Sequence, residues 1–175
     1  MNNNVIDTII SRRSIKKYLD KPVAKELVET IVKAGTFAPS GMNRQSAIIL
    51  AVTDKKTRDI LSEINARLLN INSDPFYGAP VVLVVLAKKD VRTNINDGSL
   101  VLGNMMIAAH SLGLGSCWIH RAKETFETEE GRRILEQNGI NPDEYIGVGN
   151  CIVGYTDETG IKPQAPRKEN YVFWI

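Results

Sequence analysis

Residues 80–87, PVVLVVLA, are apolar at every position. A strand sends successive side chains to opposite faces, so an unbroken apolar run needs cover on both sides. This predicts a central strand with other elements packed above and below it. The flanking periodicities supply those elements. Residues 22–35, PVAKELVETIVKAG, place Leu27, Val28, Ile31 and Val32 on one stripe between a Pro and a Gly, which predicts an amphipathic helix. Residues 46–52, SAIILAV, read as a short strand, and Thr53 or Asp54 can cap a following helix that carries Ile60, Leu61, Ile64 and Leu68. Residues 99–113 are long enough for a helix and apolar nearly all round, which predicts burial in a core or against another subunit. Gly103, Ala108 and Ala109 would allow close backbone approach there. A short strand in GLGSCWIH, a polar helix over 129–138 and a strand over 145–155 complete the order. Mixed α and β follows, with helices around one sheet. At 175 residues and 43% hydrophobic, without repeats or a linker, residues 1–175 are expected to form a single domain.

Charge and motifs exclude several functions. With 22 Lys and Arg against 20 Asp and Glu, the net charge is +2, so the broad basic field of a nucleic-acid binder is missing. The start, MNNNVIDTII, is polar and acidic, and no apolar run approaches the roughly 20 residues that span a bilayer, so a soluble cytoplasmic protein without membrane contact is expected. Cys117 and Cys151 lack a CxxC spacing and read as small core residues. His110 and His120 have no acidic or thiol partner at ligand spacing, so no metal is expected. GLGLG lacks the third glycine of a dinucleotide fingerprint, with Trp118 in its place, and neither a phosphate-binding GxxxxGK[ST] loop nor a GxSxG elbow occurs. A Cys117–His120 pair has no catalytic geometry implied by its spacing alone.

Two clusters can carry chemistry. In SRRSIKKY, residues 11–18, Arg12, Arg13, Ser14 and Lys16 offer planar forks, a hydroxyl and an ammonium within one turn of chain. Taken alone such a run is usually a solvated face. Arg167 and Lys168 in APRKENY add a second set of cations able to close on the same anion, since guanidinium–phosphate contacts are short and strong. In APSGMNRQS, residues 38–46, Pro39, Ser40, Gly41 and Asn43 are turn formers and suit a plain connection. Ser40, Asn43 and Gln45 equally suit the edge of a heteroaromatic ring or a polyol chain.

Taken in order, RRSIKKY, APSGMNRQ, FYGAPVVLVV, AAHSLGLGSCWI and the late PRK make the chain resemble the FMN-dependent nitroreductase family over nearly its whole length. The resemblance implies an α+β fold: a nitroreductase-like, mainly antiparallel central sheet surrounded by helices. It also implies a homodimer with FMN at the subunit interface and a C-terminal NYVFWI exchanged onto the partner's sheet. Arg12 and Ser14 would then bind the FMN phosphate, with Arg13 alongside it and the ribityl chain. Arg167, beside Lys168, would close that site, and Lys16 would approach the N1 and O2 edge of the flavin. Pro39, Ser40, Gly41 and Asn43, with Gln45, would come from the other subunit. Trp118, Ile119 and His120 would line the N5 side, the last two through backbone groups.

No side chain here carries a hydride, so a redox enzyme built on this chain must borrow its chemistry, and no protein residue is expected to be catalytic. NADH or NADPH would reduce FMN at N5, and an electron-poor small molecule such as a nitroaromatic or quinone would reoxidise it at the same face, in a ping-pong order. Ser46 and Ala47 replace a Pro-Trp common in the family, and the chain lacks the longer insertion that shapes many relatives' pockets, which implies an open site of loose specificity. The alternatives are a dehalogenase-like or flavin-fragmenting relative, a flavin-binding module without turnover, and a structural dimer without cofactor.

Overall fold

The computed structural model describes residues 4–175. Four strands form one sheet: β1 (Ala47–Val52), β2 (Val81–Lys88), β3 (Gly115–Ile119) and β4 (Tyr145–Gly154). Their order is β1-β2-β4-β3 and every pairing is antiparallel. The apolar run is therefore interior, as its composition requires. Val81, Leu83 and Val85 pack on one side with Cys151 and Val153, under helices α2 (Lys25–Thr36) and α4 (Asn94–Ser111). Val82, Val84 and Leu86 pack on the other side with Cys117 and Ile152, against α3 (Lys55–Leu69), α5 (Ala122–Glu127) and α6 (Glu129–Gln137). The two cysteines thus face opposite layers. Both are buried, and burial raises the Cys117 thiol and pushes Cys151 up to about 12, so neither is a ready thiolate.

The structure moves one boundary and adds detail at two other elements. Helix α4 begins at Asn94, five residues ahead of the apolar stretch, because its polar first turn includes Asp97, whose carboxylate is used by neighbouring segments. Its Val101, Leu102, Met105 and Ala109 enter the core, while Ile95 and Leu100 stay exposed and Gly103 faces open space. The polar helix expected over 129–138 is α6, and a further short helix, α5, precedes it. Thr128, extended at φ −70 and ψ 157, separates α5 from α6, and its hydroxyl accepts from Gly131 N at 3.1 Å. A Cβ at Gly131 would lie 2.0 Å from the Thr125 carbonyl, so only glycine permits the tight join. Finally, β4 alternates only in its first half; from Gly149 to Gly154 every residue is buried, since both faces are covered there.

The sheet has two edges. Along the β3 edge runs the chain after α1 (Asn4–Ser11), with Ile15 N donating to Ser116 O at 2.9 Å and Leu19 N to Tyr155 O at 2.9 Å. The SRRSIKKY segment is thereby laid in extended form beside the sheet. The β1 edge lies three strand spacings away, each about 4.8 Å.

Candidate functional site

Extended backbone alternates its side chains, and the pairing of Ser14 with Ser116 fixes which go where. Arg12 and Arg13 line a cavity of about 380 Å³ together with Ile9, Ile10, Gln164 and Arg167. Three arginines from the two ends of the chain thus line one small space, with no carboxylate among its lining residues. They are not equally free. Arg13 Nη1 donates to the carbonyls of Ile10 and Arg12, each at 2.8 Å, and Arg167 Nη2 donates to Ala165 O at 3.2 Å. Arg12 Nη1 is buried and has no hydrogen-bond partner among the described residues. The surrounding positive charge is felt nearby: burial, then Arg12 and Arg13, lower the pKa of His110, whose Nε2 lies 2.8 Å from Ser11 Oγ. Lys168 does not join this group; its ammonium sits 5.4 Å above the Tyr171 ring. Ser14 is exposed beside Cys117, and Lys16 stands over Tyr77.

The APSGMNRQS segment holds a single 3₁₀ turn, Gly41–Asn43, and Met42 and Asn43 within it and Gln45 just after it have φ near +50. Three non-glycine residues in the left-handed region store strain, which persists only where the surroundings over-determine it. Asp97 supplies that constraint. It accepts from Gly41 N at 3.0 Å, Ser46 Oγ at 2.8 Å and Thr93 Oγ1 at 3.1 Å while only 3% exposed. Burial would raise its carboxyl, but the three donors outweigh burial and hold it below the ordinary range. Within the turn, Gln45 N donates to Ser40 Oγ and Gln45 Nε2 to Asn43 Oδ1. Pro39, Ser40 and Gln45 line a second cavity, of about 330 Å³, beside β1. Within one chain this turn and the arginine cavity stand at opposite edges of the sheet, so the two halves of the expected site do not meet.

At the end of β3, Trp118 packs toward the α4 layer with its ring 6.2 Å from that of His120, whose side chain is exposed. The backbone here is held from below. Asn150 Nδ2 donates to the carbonyls of Ile119 and His120, both at 3.2 Å, and Asn65 Nδ2 donates to His120 O at 2.9 Å. Arg121 then turns at φ 72 into α5. Asn65, Tyr77, Asp97 and Asn150 are the site-shaping residues that linear reading passes over. Asp97 in a first helical turn reads as ordinary dipole complement, and lone asparagines in a helix and a strand carry no spacing signal.

The order of elements and the placement of these segments match known proteins. The nitroreductase family model matches residues 9–155. The chain belongs to the nitroreductase family. It is 27% identical over 184 residues to the FMN reductase [NAD(P)H] of Bacillus subtilis, a match covering 95% of this chain and 72% of that one. It is 26% identical over 181 residues to the NADPH-flavin oxidoreductase of Vibrio harveyi, covering 94% and 71%. Among solved structures, a nitroreductase with bound FMN from Bacteroides fragilis superposes with a TM-score of 0.90 at 25% identity, over 99% of this chain and 100% of that one. For a member of this family, the four-stranded antiparallel sheet with helices on both faces is the expected α+β architecture.

Proposed function

We propose that this chain is an FMN-dependent oxidoreductase that draws reducing equivalents from NADH or NADPH, passes them to an electron-poor small molecule, and works as a homodimer. The observation that carries the reading is that Arg12, Arg13 and Arg167 line one small cavity free of carboxylates, Arg12 with a buried Nη1 that has no hydrogen-bond partner among the described residues. A buried donor without an acceptor is costly, and a phosphate monoester is an acceptor that three clustered arginines suit. The donor set therefore fits FMN. When bound, FMN would supply hydride chemistry at N5 between a reduced nicotinamide and an acceptor such as a nitroaromatic or a quinone.

The protein's part is to bind, orient and tune. Arg12, Arg13 and Arg167 would hold the phosphate, with the Ser14 hydroxyl adding a donor. Lys16 would put positive charge at the ring edge where electron density accumulates on reduction, favouring the reduced form. The carbonyls of Ile119 and His120, pinned by Asn150 and Asn65, keep the β3 terminus rigid beside that ring. Residues 39–45 would come from a second copy, which the opposite-edge placement of the two halves supports. One face open to both substrates would impose a ping-pong order. The deciding measurement is the absorbance spectrum of purified protein with FMN, titrated under nitrogen with NADH and then NADPH. Rapid bleaching of the flavin band is expected. Bound flavin that stays oxidised would leave a binding module, and protein that takes up no FMN would overturn the reading.

A further inference from the structure

We infer that Tyr77 is the positioning residue for Lys16, and that through Lys16 it tunes the reduction potential of the bound flavin. The inference rests on the flavin reading above for its consequence, but its geometry is independent. The Lys16 ammonium lies 5.4 Å from the centroid of the Tyr77 ring, inside the ~6 Å reach of a cation–π contact. The turn that presents Tyr77 is held in place from several directions. The Asp74 carboxylate accepts from Phe76 N at 2.8 Å, Gly78 N at 2.7 Å and Ser62 Oγ at 2.5 Å, and it pairs with Arg58. Tyr77 N itself donates to Asp74 O at 3.1 Å. Phe76, next in the chain, is 1% exposed in the core, whereas Tyr77 is 39% exposed.

Tyr77 has φ +53, an uncommon conformation for a bulky side chain. A small polar residue would fit that backbone better, and a ring this exposed gains little from core packing. What the aromatic adds is a face beneath a cation. Lysine is a point charge on a flexible stem, so its electrostatic effect on a ligand depends on where the head is kept. The strained turn supplies a fixed platform for it.

The test uses Tyr77→Asn, which deletes the ring yet tolerates the left-handed backbone, and Tyr77→Phe, which retains the ring. In apoprotein, the ring current should shift the Lys16 ε-methylene NMR resonance upfield in wild type and Tyr77→Phe and leave it at the free-lysine position in Tyr77→Asn. In FMN-loaded protein, Lys16→Met should weaken the preference for reduced over oxidised flavin about tenfold, about 30 mV lower for a two-electron couple. Tyr77→Asn should weaken it about threefold, about 15 mV lower, with no further loss when combined with Lys16→Met. An unshifted lysine resonance in wild type, or an unchanged potential in Tyr77→Asn while Lys16→Met moves it, overturns the inference. A potential that ignores Lys16→Met would instead sink the flavin placement, and the apoprotein spectrum would still judge Tyr77. Should Tyr77→Asn lose its cooperative thermal transition, Tyr77→Gly, equally relaxed at this φ, takes its place in both measurements.

Discussion

Arg12 and Arg13 are neighbours of the same type, yet the structure gives them opposite roles. Arg13 Nη1 already donates to two backbone carbonyls, while Arg12 keeps a buried nitrogen with no partner among the described residues. Leaving such a donor unsatisfied costs about 1–3 kcal/mol, so removing it should not destabilise the empty protein. Arg12→Ala is expected to melt at or above the wild-type temperature without flavin and to weaken FMN binding at least about tenfold, read by fluorescence titration. Arg13→Ala should show the reverse emphasis, with a lower apoprotein melting temperature and a smaller loss of affinity. Asp97 gives a pH prediction. Its folded value lies below the ordinary 3.8, so its contribution is fully present above that value and is lost as pH falls through the folded value. Acid unfolding of Asp97→Asn should therefore be less steep below pH 3.8, and the Gly41 amide should exchange faster than in wild type at neutral pH. At this scale the sequence reveals that cations cluster at residues 12–16. It cannot reveal which guanidinium is left free, because that depends on carbonyls brought in by the end of α1.

Elements were legible in proportion to how strongly one physical requirement dominated each of them. The β2 run admits no reading but a strand covered on both faces, and it occupies that place. Helix α3 declares its start through Asp54, whose carboxylate accepts from both the Thr57 amide and hydroxyl at 2.8 Å. Replacing Asp54 by Ala should lower the urea unfolding midpoint through loss of the cap, with no change in FMN affinity. Helix α5 was not legible, because six residues give too little periodicity to separate it from a loop. Its existence depends on contacts with β4, where a Cβ on Gly147 would lie 2.2 Å from the Ala122 carbonyl carbon. The start of α4 was obscured for a related reason. Its first turn leaves Ile95 and Asn96 in solvent, yet Asp97 within it is buried and serves the turn at residues 41–46 from inside.

At the scale of the whole molecule, the single chain leaves large apolar side chains exposed. Val5, Ile6, Ile9 and Ile10 of α1, Ile95 and Leu100 of α4, and the terminal Tyr171, Val172, Phe173, Trp174 and Ile175 are all exposed, while the core behind them is closed. Burying such side chains is worth roughly 1.5–3 kcal/mol each, enough to hold two chains together if several are covered at once. The C-terminal residues 161–175 contribute no buried side chain to their own chain, yet they carry both Arg167 and the apolar end. Their removal therefore separates folding from assembly. A chain ending at Gly160 is expected to keep a cooperative thermal transition, since both layers of core against the sheet remain intact. It should run as a monomer by light scattering where the full chain is expected to run as a dimer, and it should lose FMN on gel filtration. Adding Arg167→Ala to the full-length chain distinguishes the two contributions of the tail. That variant should remain a dimer and bind FMN weakly, because it lacks one phosphate donor but retains the apolar end. A truncated chain that still dimerised would place the contact on α1 and α4 alone, and one that still held FMN would remove Arg167 from the phosphate site.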